Sequence, residues 1–137
     1  MRQIRDTFLH LLADNLVGIT VHNLRRDPNY PDSDNIKGNA VNVQFTNANY
    51  DNRESTLVAH VDIVHESELT ATDWMQSVWA ILGNNLMAPL LDYSVTPTSP
   101  TDTGQNIYWT QPVKFRPIAD DFYFRYSCTL TLSTHLS

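Results

Sequence analysis

The apolar residues at the start of the chain recur at intervals of three and four, which is the spacing of one stripe on an α-helix. They are Ile4, Phe8, Leu11, Leu12 and Leu16. Gly18 follows at a position where a left-handed residue commonly closes a helix. We therefore predict an amphipathic helix over residues 2–16.

The pattern then changes to a period of two, which is the spacing of β-strands. Residues 19–24, 40–45 and 55–65 alternate in this way. The short polar connection between the second and third of these segments predicts antiparallel neighbours. Residues 25–37 are rich in Pro, Asp and Asn, which predicts a long loop, and long loops in compact domains are commonly functional or mobile.

A second helix is predicted over residues 72–86, with Thr70 as its cap and Asp73 placed to complement the helix dipole. Pro89 is expected to end or kink it. Its apolar residues occupy two sides, so this helix is expected to touch more than one layer. Trp74 and Trp79 are the largest of them.

Residues 95–104 are rich in Pro, Ser and Thr and predict a second surface loop. Strands are predicted at residues 106–116 and 122–134, on either side of a turn in which adjacent aspartates favour turn geometry. The last strand has the clearest alternation in the chain, and one of its faces is apolar. That face carries Phe122, Phe124, Tyr126, Cys128, Leu130 and Leu132.

The order of these elements predicts the fold class. One helix, three strands, a second helix and two strands follow one another, and strands that run in blocks are typical of α+β proteins. We predict a two-layer α+β fold, with a mostly antiparallel four- to five-stranded sheet and two helices packed on one face. Its 137 residues fit a single domain over residues 1–137.

The charge balance bears on the partners. Nine basic and fifteen acidic side chains give a net charge of −6, whereas proteins that grip nucleic acid usually present a basic surface. One cysteine can form neither an intrachain disulfide nor a cysteine-based zinc site. Because the N-terminus lacks an apolar signal region and no segment is apolar enough for a membrane span, we expect synthesis in a reducing cytoplasm, no export by a signal peptide and no membrane partner.

No segment has the spacing of a catalytic, metal or cofactor site, so we predict that the protein is not an enzyme and needs no cofactor. An alternative is a small metal- or ligand-binding module that uses His60, Asp62 and His65. Their spacing is not that of a ligand set, and solvated residues on a strand face are the preferred interpretation. Cys128 lies on an apolar strand face and is expected to be a core residue.

Aromatic residues are more numerous than the core of such a domain needs, with three Trp, six Tyr and five Phe. Aromatic side chains are enriched in protein interfaces. A long terminal strand with little charge also exposes an edge that tends to pair unless a partner covers it. These features favour self-association.

The element order, together with the C-terminal segment FYFRYSCTLTLSTHLS at residues 122–137, resembles the tail-terminator, or tail-completion, proteins of long-tailed bacteriophages. The resemblance covers nearly the whole chain and rests on layout rather than on a motif. It implies a virion protein of the tail or neck region that forms a homo-oligomeric, hexameric ring. This ring would sit on the tail-tube protein, end tube polymerisation and contact a head-side connector or neck protein, while DNA passes through without specific binding.

Under this resemblance, the subunit interface is expected in the second helix and the last strand, at Trp74, Trp79, Phe122, Phe124 and Tyr126. Two loops carry candidates for axial contacts or for the lumen of the ring, namely Arg25, Arg26, Tyr30 and Asp102. A head–tail neck protein or a tail-tube subunit, which share related folds, are the alternatives within the virion.

Overall fold

Two helices and one sheet make up the fold, in a computed structural model that describes residues 2–24, 36–50, 54–85, 87–96 and 98–135. In chain order the elements are α1 (Arg2–Asn15), β1 (Val21–Leu24), β2 (Ala40–Tyr50), β3 (Glu54–His65), α2 (Glu68–Gly83), β4 (Met87–Asp92), β5 (Thr101–Trp109), β6 (Arg116–Ile118) and β7 (Phe124–His135).

Over these described residues, the sheet has seven strands in the order β1–β2–β3–β7–β5–β4, and β6 also pairs with β7. β1 runs parallel to β2, whereas the other paired strands are antiparallel. The sheet is strongly curled into a half-barrel. The register shifts between Thr46 and Asn49, where β2 has the extra residue, and between Pro89 and Leu91, where the extra residues lie in the partner strand β5. Such irregularities favour curl, because an extra residue bends a strand and increases its twist.

The predicted fold class is wrong. We expected a mostly antiparallel four- to five-stranded sheet with two helices packed on one face, and the described chain has a seven-stranded, mixed and strongly curled sheet. Alternation along a strand indicates which of its faces is apolar, but it does not specify the neighbouring strand or whether the pair is parallel. Curl depends on pairing between segments that are distant in sequence, so the local pattern could not predict it.

The predicted first helix is confirmed, and its apolar stripe is buried. Ile4, Phe8, Leu12 and Leu16 are at most 3% exposed. Helix α1 contacts β4 and β1, which are the two end strands of the sheet. It therefore bridges the opening of the half-barrel.

The predicted apolar faces of β3 and β7 are confirmed where these strands face the core. Side chains of directly opposite residues lie on the same face of a sheet. The opposite pairs are Leu57 with Leu132, Ala59 with Leu130, and Val61 with Cys128, and all six residues are buried. Phe122 and Phe124 depart from this pattern, because they are 83% and 44% exposed.

The boundaries of the second helix differ from the prediction. Its cap is Ser67, whose side chain accepts a hydrogen bond from the Thr70 amide, so Thr70 lies inside the first turn. Serine is a preferred capping residue, and Glu68 supplies the acidic group next to the positive end of the helix dipole. The helix ends at Gly83, and Pro89 belongs to β4, a strand that the sequence prediction omitted.

The loop and strand predicted after residue 95 also need correction. β5 begins at Thr101, inside the predicted loop, and ends at Trp109. Residues 110–115, which were predicted to continue this strand, lie outside any strand. The next strand is β6, which pairs with β7 and includes the first residues of the predicted turn.

Candidate association surfaces

Three of the five predicted interface residues lie together near the start of α2. The rings of His65 and Trp74 meet edge-on, with centroids 4.7 Å apart. Phe124 is directly opposite His65 in the β3–β7 register, and the Tyr126 hydroxyl lies 3.3 Å from Thr72 Oγ1 on α2. We call His65, Trp74, Phe124 and Tyr126 the aromatic corner. Trp74 and Tyr126 also pack against the core, whereas Phe124 remains 44% exposed.

Phe122 lies just before β7, in a turn organised by Asp120. Asp120 Oδ1 accepts hydrogen bonds from the amides of Phe122 at 2.9 Å and Tyr123 at 3.0 Å, and Arg125 donates to Oδ2 at 3.3 Å. The bond from the Phe122 amide, supported by Tyr123 and Arg125, holds the pKa of Asp120 below its ordinary value. The predicted turn chemistry is confirmed, and the turn presents Phe122 to solvent at 83% exposure.

This hairpin tip, residues 119–123, is anchored to the sheet face opposite the core. Arg125, with a side chain only 9% exposed, lies between Asp120 and Asp62, and its second terminal nitrogen is 3.6 Å from Asp62 Oδ1. The Tyr123 ring covers Gly38 so closely that a Cβ atom there would collide with it. The tip is therefore a fixed projection that carries an exposed phenylalanine.

Trp79 lies on a separate surface. Met75, Gln76, Trp79 and Ala80 line a shallow depression of about 550 Å³ on the outside of α2, which we call the α2 patch. Trp79 is 44% exposed, and its Nε1 donates to the Val113 carbonyl at 3.1 Å. The structure thus separates Trp79 from Trp74, because residues five positions apart on a helix point in different directions.

The candidate lumen residues are mostly outside the described part of the chain. Arg25, Arg26 and Tyr30 lie outside the described residues. Asp102 is exposed in the β4–β5 hairpin, where its carboxylate accepts a hydrogen bond from the Gly104 amide at 2.8 Å. This bond gives Asp102 a role in the local backbone, and its part in a lumen stays a prediction.

The residues of the alternative metal site do not converge. His60 and Asp62 lie on the sheet face opposite the core, whereas His65 lies on the core side against Trp74. His60 is 2.8 Å from Thr46 Oγ1 through Nε2 and 3.3 Å from Thr129 Oγ1 through Nδ1. Across the described residues, no group of three or more His, Cys, Asp or Glu side chains is placed to hold a metal ion.

Cys128 is buried, as predicted. Burial, with a smaller contribution from the negative charge of Asp62, raises the pKa of the Cys128 thiol to about 12. The reactive form of cysteine is the thiolate. At neutral pH this residue therefore has the chemistry of a small apolar side chain.

Sequence reasoning predicted Trp79 as an interface residue but did not place it on a surface separate from Trp74, and it missed the Asp120–Arg125–Asp62 anchor. This separation could have been found from helical spacing, because Met75 and Trp79 are four residues apart, as are Gln76 and Ala80, and neighbours at that spacing form a second stripe beside the one that faces the core. The anchor joins positions that are distant in sequence, so no local signal indicates it.

No protein-family profile matches this chain, and no curated protein matches it. Fifteen solved protein chains are similar to it in structure. One of them has a TM-score of 0.60 and 16% sequence identity, with 99% of this chain and 96% of that protein covered, and its name states no function. Identity this low establishes a shared fold alone.

Within the described part of the chain, neither helix has the length and apolar character that crossing a membrane requires.

Proposed function

We propose that this protein is a structural virion protein of the tail-terminator class. In this role it assembles into a hexameric ring that caps the tail tube, ends tube polymerisation and joins the tail to the head-side connector. DNA passes through the bore without specific binding. The protein acts by association and performs no catalysis.

The proposal is carried by the exposure of large apolar side chains at two separate surfaces. Phe122 and Phe124 project at one end of β7, at 83% and 44% exposure, and Trp79 is 44% exposed on α2. Contiguous exposed apolar surface commonly marks a site where another protein binds, and each of these side chains lies beside further apolar side chains, namely Phe122 near Phe124 and Trp79 beside Met75 and Ala80. A ring requires two different surfaces on each copy, because each copy uses one surface toward the preceding neighbour and the other toward the next.

The net charge supports the passage of DNA. At −6 per copy, a ring of this protein is acidic overall. Acidic surfaces repel DNA phosphates, and binding to nucleic acid usually depends on basic side chains. A ring with this charge is suited to surround DNA without holding it.

Light scattering over a wide concentration range, with electron microscopy of the protein alone and mixed with purified tail tubes, tests the proposal. We expect monomers or weak oligomers in dilute solution, and single rings at high concentration or at the ends of tubes. Long stacks of rings would instead identify a tail-tube subunit, and rings that bind only the head-side connector would identify a neck protein. A compact monomer that persists at millimolar concentration and ignores tail tubes would refute the ring.

A further inference from the structure

The hairpin tip and the α2 patch have complementary properties. The tip presents one fully projecting aromatic side chain, Phe122, whereas the patch is a shallow apolar depression on a helix. Phenylalanine contacts tryptophan favourably through edge-on or offset rings, and a methionine such as Met75 adapts its shape to an incoming aromatic ring. These two surfaces are suited to bind each other across two molecules.

Both surfaces are ordered before any contact forms. Asp120 fixes the tip through the Phe122 and Tyr123 amides. In the patch, the Trp79 ring is held by its bond to the Val113 carbonyl. The ring also lies over Gly83, where an added Cβ would come within 2.8 Å of it. Pre-ordered groups lose little conformational entropy on binding, which favours association.

The tip carries a negative charge, and the patch has charges of both signs beside it. The tip carries the exposed carboxylate of Asp121 next to Phe122. The four residues that line the patch are uncharged. The exposed Lys114 adjoins Val113, the residue bonded to Trp79, and the exposed Asp73 lies one helical turn before Gln76. An aromatic projection and an apolar depression fit a second copy of this chain, because every copy supplies both. The carboxylate of the tip is attracted toward Lys114 and repelled by Asp73, which favours one orientation of the incoming tip.

We infer that Phe122 of one copy inserts into the α2 patch of a second copy, with Asp121 facing Lys114 at the rim of the contact. This inference rests on the proposed assembly and names the surfaces that form it. The apolar insertion supplies most of the affinity, since a buried aromatic side chain at the centre of an interface commonly dominates binding. The rim pair contributes orientation and association rate more than affinity.

Two single-surface variants test the contact. Phe122→Asp removes the insertion, and Ala80→Arg fills the patch on an exposed helical position. Val95→Asp and Ala13→Arg are the matched controls, because they place the same new side chains at other exposed sites. Thermal melts that match the wild type establish that each variant is folded. We expect the association constant to fall on the order of 30-fold or more in both test variants, and to stay unchanged in both controls.

An equimolar mixture of the two test variants gives the decisive result. The Ala80→Arg protein keeps an intact tip and the Phe122→Asp protein keeps an intact patch, so the mixture should form heterodimers that grow no further. Association of either variant at the wild-type level, or a mixture that stays monomeric, would overturn the contact.

The same measurements separate this contact from the proposed function. Wild-type rings that survive Ala80→Arg would overturn the contact and leave the ring standing. A wild type that stops at dimers, with heterodimers still formed in the mixture, would keep the contact and overturn the ring. A wild type that associates neither in solution nor on tail tubes would overturn both.

Discussion

The contact between α1 and the end strand β4 provides a sharp test of what stabilises the fold. Thr7 is 4% exposed, and its hydroxyl satisfies two backbone groups of one residue. Oγ1 accepts from the Leu91 amide at 3.0 Å and donates to the Leu91 carbonyl at 3.2 Å. Because β4 has no strand on its other side in the described sheet, Thr7 substitutes there for a strand neighbour.

Thr7→Val removes these two hydrogen bonds and keeps the shape of the side chain. A buried backbone group without a partner costs about 1–3 kcal/mol. Leu91 is only half-buried and water can compensate in part, so we expect a total loss of about 2 kcal/mol in the free energy of unfolding. For a domain of this size, that loss lowers Tm on the order of 5 to 10 °C.

Thr7→Ser is the matched control, because it keeps the hydroxyl and removes one methyl group, at a cost of about 0.8 kcal/mol. Urea unfolding measures both variants, and a lower midpoint with an unchanged slope indicates a loss of stability alone. If the valine variant is at least as stable as the serine variant, the hydroxyl does not hold β4 to α1 and our explanation of this edge is wrong.

Three further predictions concern single side chains. Cys128, with its pKa raised to about 12, should resist thiol reagents at pH 8 in the folded protein and react fully in urea; stoichiometric labelling of folded protein would contradict its burial. The pKa of Asp120 is lowered by folding, so its contribution to stability is complete above the ordinary aspartate pKa and is lost as the pH falls through the lowered value. The protection factors of the Phe122 and Tyr123 amides, which correct for the pH dependence of intrinsic exchange, should therefore fall in acid in the wild type, and in Asp120→Ala they should already be low at neutral pH. Gly38→Ala should destabilise the fold by about 1–3 kcal/mol because its Cβ meets the Tyr123 ring, and this cost should largely vanish in a Tyr123→Ala background.

The parts of the fold that depend on local periodicity were predictable. The stripe of α1 and the alternation of β3 are long and regular, and they face the core as expected. In β4, Ala88 and Leu90 are buried while Met87 and Pro89 are exposed, so this strand also alternates. It is only six residues long and follows a helix closely, so its pattern resembles the frayed end of that helix.

The candidate surfaces were predictable only as residue types. The aromatic excess indicated association, and helical spacing alone could have separated Trp74 from Trp79. Alternation placed Phe122 on the same face as Leu132, but it could not show that the core no longer covers this face at residues that precede β7. That limit depends on where α2 lies across the sheet, which is a property of tertiary contacts.

The central position of β7 has a consequence for synthesis. Within the described sheet, β3 and β5 are joined only through β7, which follows both of them in the chain. Until residues 124–135 have left the ribosome, no strand pairing joins β1–β3 to β4–β5, and one edge of β3 is open along its length. A nascent chain is therefore exposed to mispairing until β7 has emerged, and a stop codon before residue 124 should yield insoluble protein.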